Sequence, residues 1–115
     1  MTIDAVTAVR ASPLAPAVAL FRSLGDPVRL AIVQRLAGGE ARVTDLVEHL
    51  GLAQSTVSAH LACLRNCGLV DSRPLGRASL FRLTQPALLD LLKASETVLS
   101  ATGAAVELCP TYGSP

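Results

Sequence analysis

The stretch Asp45-Leu46-Val47-Glu48-His49-Leu50-Gly51-Leu52-Ala53-Gln54-Ser55-Thr56-Val57-Ser58-Ala59-His60-Leu61 decides the fold. Leu46, Val47 and Leu50 fall on one side of a short helix, Asp45 to Leu50, which Thr44 is placed to cap and Gly51 breaks. After the turn Leu50-Gly51-Leu52-Ala53 the spacing predicts a second helix from Gln54 to Cys67, ended by Gly68. At ~100° per residue, Val57, Leu61 and Leu64 share one face and belong in a core. Ser55, Ser58, Ala59 and Ala62 share the opposite face. That face is short and polar at its N-terminal end, as a helix entering a DNA major groove must be, because bulky apolar side chains there leave base edges unpaired.

Working outward, Val70 to Leu75 and Ala78 to Leu83 partly alternate apolar and polar residues around Gly76-Arg77. This predicts a β-hairpin, with Pro74 marking an edge strand. Upstream, a first helix is predicted from Ser12 to Leu24, with Ser12 as cap and Pro13 as first residue. Asp26 caps a second helix that opens on Pro27 and stops at Gly38-Gly39. Ala41-Arg42-Val43 reads as a short strand or an extended entry. A last helix covers Gln85 to Ala101. Two helices joined by a tight turn and followed by a hairpin give the winged helix-turn-helix order. The expected class is therefore mainly α with a small β-hairpin, and dimeric. Residues 1–12 are expected to be an arm, 13–105 the domain, and 106–115 a tail carrying Cys109.

Half of the 115 residues are hydrophobic but only 3% are aromatic, so the core must be built from Leu, Val and Ala. A core of this size is modest, and aliphatic residues continue into the last third, so an apolar surplus is expected in a subunit interface. No apolar run reaches the ~18 residues of a membrane helix. Asp4 and Arg10 spoil a signal peptide, so a cytoplasmic protein is expected. The net charge of +1 hides a segregation. Residues 54–85 carry Arg65, Arg73, Arg77 and Arg82 against Asp71 alone, while 86–115 carry Lys93 against Asp90, Glu96 and Glu107. A positive middle segment is the footprint of a phosphate-facing surface. Gln54, Ser55, Thr56 and Ser58 are the candidates for DNA contact, with Arg77 at the hairpin tip and Arg73 and Arg82 as further phosphate ligands. A winged-helix interaction module without DNA binding is the alternative. No paired-carboxylate site, phosphate loop or nucleophile–base set points to an enzyme.

Cys63 and Cys67 are four residues apart on the second helix of the pair, so their sulfurs leave one face and can share an ion. They lie on the flank between the core face and the DNA face. Cys109 follows the last helix. Three cysteines are an odd number for a disulfide framework. Metal binding, redox sensing and plain burial are the three uses open to them.

The chain resembles the ArsR/SmtB family of bacterial metal-responsive repressors over about Val18 to Leu92. The resemblance is carried by Leu24-Gly25-Asp26-Pro27-Val28-Arg29-Leu30-Ala31-Ile32-Val33, by the helix-turn-helix quoted above, and by the hairpin Arg73-Pro74-Leu75-Gly76-Arg77 with Phe81-Arg82-Leu83. It implies a homodimer formed by the first and last helices, which binds double-stranded operator DNA and lets go when metal binds. Two metal sites used by the family are missing here. Arg42 and Thr44 stand where one needs a Cys-x-Cys, and Leu92 stands where the other needs a His, although Asp90 matches its first acid. The arrangement of the family's cadmium- and lead-sensing branch is matched by Cys63, Cys67 and Cys109. In family members without metal at that place, packing or DNA contact explains a His at the position of His60, which is counted here with the DNA-contact residues ahead of a role as fourth ligand. Three thiolates are a soft donor set, which favours Cd(II) or Pb(II) over As(III), and over Zn(II), which usually completes a four-ligand tetrahedron.

Overall fold

The computed structural model describes Ala5 and residues 13–108. Five helices and three strands follow one another as α1 (Ala15–Leu24), α2 (Pro27–Ala37), β1 (Ala41–Arg42), α3 (Val43–Leu50), α4 (Gln54–Asn66), β2 (Val70–Leu75), β3 (Ala78–Leu83) and α5 (Ala87–Ala101). The antiparallel sheet has the order β1-β3-β2. β2 and β3 pair from Val70↔Leu83 to Leu75↔Ala78, and β1 adds Ala41↔Phe81 and Arg42↔Leu80. Pro74 sits on the edge strand β2, where its missing N–H costs no ladder bond. This is a winged helix-turn-helix.

One core serves all elements. Ile32, Val33 and Leu36 of α2 meet Leu46 of α3 and Val57, Leu61 and Leu64 of α4, closed by Leu69, Val70 and Phe81 of the wing and by Leu88 and Leu92 of α5. The α4 side chains are those that the helical period assigned to the core. At the end of α4 the Leu69 N–H bonds the Leu64 carbonyl and the Gly68 N–H bonds that of Arg65, with Gly68 at φ +77°. This double bond pattern consumes carbonyls that otherwise stay unpaired, and the left-handed residue between them favours glycine. Replacing Gly68 with Ala is expected to destabilise the fold by about 1 kcal/mol or more, read as a drop of several degrees in the thermal midpoint.

Three helix starts differ from expectation, the smallest change being at α5, which begins at Ala87 instead of Gln85, with Pro86 before it. α1 begins at Ala15, with Pro16 in its first turn and Val18 N–H making the first helical bond, to the Leu14 carbonyl (2.9 Å). A helix opened at Pro13 would require that first bond from position 16, where Pro16 has no N–H to give. Ser12, the expected cap, lies outside the described residues. α3 begins at Val43, and Thr44 is its second residue instead of its cap. Asp45 decides this, because its carboxylate accepts the Arg42 backbone N–H (2.9 Å) and the Arg42 guanidinium (3.0 Å). An acid at the third helical position reaching back to the preceding N–H satisfies a donor that the helix leaves free. The Arg42 side chain holds the Asp45 carboxyl below its usual range. Asp26 caps α2 as expected, accepting from Val28 and Arg29 N–H. The Arg29 amide is the main cause of its lowered pKa.

Beyond α5 the chain turns at Gly103 and lies back on the domain. Gln34 Nε2 donates to the Glu107 carbonyl (3.2 Å), and the Leu108 N–H donates to the Glu96 carboxylate (2.7 Å). Leu108 packs against the core. Among the described residues, no helix is long and apolar enough to cross a membrane.

Candidate nucleic-acid interface and metal centre

α3 and α4 are set by Gly51, at φ +68°, whose N–H closes α3 on the Val47 carbonyl (2.8 Å). Once Val57, Leu61 and Leu64 are committed to the core, Gln54, Ser55, Thr56 and Ser58 are left exposed on the first turns of α4. Ala53 precedes the helix and offers no side-chain cap. The first amides of α4 therefore keep no side-chain acceptor at that position, and a helix N-terminus in this state favours an anion. Gln54 and Arg77 line one open depression of about 500 Å³, together with Arg42, Thr44, Arg65 and Phe81. The start of α4 and the wing tip, 23 residues apart in sequence, thus face the same space.

The wing arginines differ in what they touch. Arg73 pairs with Glu40 (2.9 Å) and Arg82 with Asp71 (2.7 Å), both on the surface. Arg82 holds the Asp71 carboxyl below its usual range. Arg65 donates to Ser72 Oγ (2.7 Å) and stacks over the Phe81 ring (5.2 Å to its centre). Arg77 is exposed at a two-residue turn in which Gly76 alone has positive φ, the pattern of a II′ hairpin. Periodicity gave no sign of the Arg65 packing, which joins α4 to the sheet.

His60 is half-buried and turns toward α2. Its Nδ1 lies 3.3 Å from Arg29 Nη1 and 3.8 Å from the Asp26 carboxylate. A guanidinium only donates, so Nδ1 accepts and the ring proton of that pairing sits on Nε2. Arg29 also donates through Nε to the Ser23 carbonyl (2.9 Å) and through Nη2 to the Arg22 carbonyl (3.2 Å). It closes the C-terminal end of α1, a role that sequence reading missed.

Cys63 and Cys67 are free, exposed thiols. The Cys67 N–H bonds the Cys63 carbonyl (3.1 Å), and Cys67 keeps right-handed helical angles although it caps α4. One full helical turn therefore separates the pair, with both side chains on one flank. Two accessible thiols at this spacing fit a soft ion. Among the described residues no group of three or more His, Cys, Asp or Glu forms a metal cluster. Cys109 lies outside those residues, directly after Leu108. Cys67 Sγ also sits 2.9 Å from the hydroxyl of Ser23 on α1. No sequence signal marked Ser23, 44 positions away.

Residues 26–72 match the family described as bacterial regulatory protein, arsR family. A probable mercury resistance operon repressor of Streptomyces lividans is 36% identical over 89 residues, covering 77% of this chain and 71% of that protein. The chain belongs to the ArsR family. The HTH-type transcriptional regulator CmtR of Mycobacterium tuberculosis is 48% identical over 58 residues, about half of each chain. Among solved structures, the transcriptional repressor BigR from Xylella fastidiosa superimposes with a TM-score of 0.67 at 31% identity, covering 84% of this chain and 96% of that one. A homodimeric winged helix-turn-helix DNA-binding domain from Mycobacterium bovis gives 0.71 at 26% identity over 88% and 90%. These relatives are regulators and not enzymes. The protein is accordingly a transcriptional regulator of the ArsR family.

Proposed function

We propose that the protein is a homodimeric repressor that reads operator DNA through the start of α4 and the wing, and releases it when a soft metal ion binds Cys63, Cys67 and Cys109. The observation that carries this proposal is that two exposed thiols stand one turn apart on the helix whose first turns present the polar face. An ion taken there acts on the DNA-reading helix itself. Gln54 reads a base edge; Ser55, Thr56 and Ser58 bond bases or phosphates; the α4 amides hold a phosphate. Arg77 reaches the backbone or the minor groove. Arg73 and Arg82 exchange their surface carboxylates for phosphate, which surface ion pairs resist only weakly. His60, with Nδ1 engaged by Arg29, offers its Nε2 proton to the backbone.

The dimer is supported by an apolar stripe on the outside of the domain. Leu14, Val18 and Phe21 fall on one face of α1 and are 59%, 42% and 60% exposed, and Val98 of α5 is 62% exposed. Helix geometry favours metal over disulfide as the signal. Cβ atoms at this spacing lie ~5–6 Å apart. A disulfide needs about 3.5–4.5 Å, whereas metal–sulfur bonds of ~2.3 Å or more span the gap without unwinding the turn. Soft donors favour Cd(II) or Pb(II), with Hg(II), As(III) and Zn(II) as competitors.

The test is binding of a DNA fragment from upstream of the protein's own gene, followed against salt and then against each ion. Affinity is expected to fall steeply with salt. In the Arg77→Ala variant the logarithmic salt slope should shrink by about 0.9 for each phosphate that Arg77 neutralises. A parent whose binding ignores salt and sequence would sink the operator reading.

A further inference from the structure

We infer that Ser23 is the positioning residue that couples the thiol pair to the dimer face, by clipping the end of α1 to the recognition helix only while Cys67 is free of metal. This rests on the metal reading above. Ser23 is 6% exposed, the one buried polar residue among those described. Its hydroxyl donates to the Ala19 carbonyl one turn back (2.9 Å). A serine has one proton, and that bond uses it. The contact with Cys67 Sγ at 2.9 Å is therefore a hydrogen bond from the thiol to the Ser23 oxygen. When an ion bonds that sulfur, the S–H proton leaves to solvent and the donor is gone, so Ser23 can meet the sulfur again only by giving up its own bond to the Ala19 carbonyl.

The same residue holds the second tie. Its carbonyl accepts from Arg29 Nε, and Arg29 Nη1 donates to His60 of α4. Two paths, Cys67–Ser23 and His60–Arg29–Ser23, thus run from α4 to one residue of α1. At ~100° per residue Ser23 lies about 180° from Leu14 and Phe21 on α1. One face of this helix meets the recognition helix and the opposite face carries the exposed apolar stripe. Loss of the thiol bond leaves the Arg29 path as the remaining tie and loosens the end of a helix whose other side addresses the partner protomer, which turns a change at one sulfur into a change of dimer geometry. This supplies the two-state element that coupling between distant sites needs.

The test compares the parent with Ser23→Ala and Ser23→Thr, using Cd(II) as the probe. Thiolate-to-metal absorption measures binding, and operator affinity is measured with and without the ion. The parent should lose about 5–150-fold in operator affinity on binding Cd(II). Ser23→Ala should bind Cd(II) with the parent's absorption yet lose less than about threefold, and Ser23→Thr, which keeps the hydroxyl, should restore the response. An alanine variant that releases DNA like the parent overturns the coupling. A parent without thiolate absorption overturns the metal reading instead. Should Ser23→Ala fail to fold, amide exchange of the unaltered protein decides: Cd(II) should accelerate exchange at the end of α1, and unchanged protection there overturns the proposal.

Discussion

Phe21→Glu should convert the protein to a monomer and lower operator affinity by at least about 100-fold, with helix content intact. Phe21 is 60% exposed and contributes nothing to the buried core. It stands beside Leu14 and Val18 on α1, a stripe that leaves apolar area in water. Burying one large apolar side chain stabilises by about 1.5–3 kcal/mol. In a two-fold interface each substitution acts twice, so the loss is roughly 3–6 kcal/mol before the cost of placing a charge there. That is about two to four orders of magnitude in the dimer dissociation constant. Two recognition helices reach successive major grooves, ~34 Å apart, only when a dimer holds them, so DNA affinity falls with it. Sedimentation separates a species near 11.9 kDa from one of twice that mass. A variant that remains a dimer removes the stripe from the interface.

The second large effect concerns Cys67→Ser. A serine oxygen is a poor donor for a soft ion, and removing one of three thiolates should weaken Cd(II) binding by about 100-fold or more, since losing even an outer partner of a metal ligand costs roughly 10–100-fold. The thiolate-to-metal absorption should fall with it. Metal-free operator affinity should stay within about threefold, because the serine hydroxyl that replaces the thiol still donates to Ser23, and position 67 lies on the flank of α4 away from Ser55 and Ser58. Cys63→Ser should behave alike, and Cys109→Ser should show the same loss if the tail supplies the third sulfur. A Cys67→Ser protein that binds Cd(II) as the parent does removes the cysteine pair from the site.

Much of the fold is legible in the sequence because it is local. The faces of α4, the glycine that ends it, the Asp26 cap and the Gly76-Arg77 hairpin are each fixed within one or two turns of chain. The start of α1 is harder to read because two prolines compete, and only the demand for a first helical hydrogen bond at position 16 decides between them. The start of α3 is harder because Asp45 displaces Thr44 by reaching back to Arg42. What the sequence does not disclose joins distant segments. Ser23 meets Cys67, Arg29 meets both the end of α1 and His60, Arg73 meets Glu40, and Glu96 meets the backbone of Leu108. No periodicity encodes such pairs, since packing alone brings them together.

In the proposed mechanism the thiols on α4 control its grip on DNA. The most direct test of this control is the anisotropy of a labelled operator fragment at fixed salt, with Cd(II) or Pb(II) titrated into the reduced parent and into the variant carrying Cys63→Ser, Cys67→Ser and Cys109→Ser together. The parent should release the operator near one ion per site, and the variant should stay bound throughout. Release of both proteins at the same ion concentration, or release of neither, contradicts that mechanism.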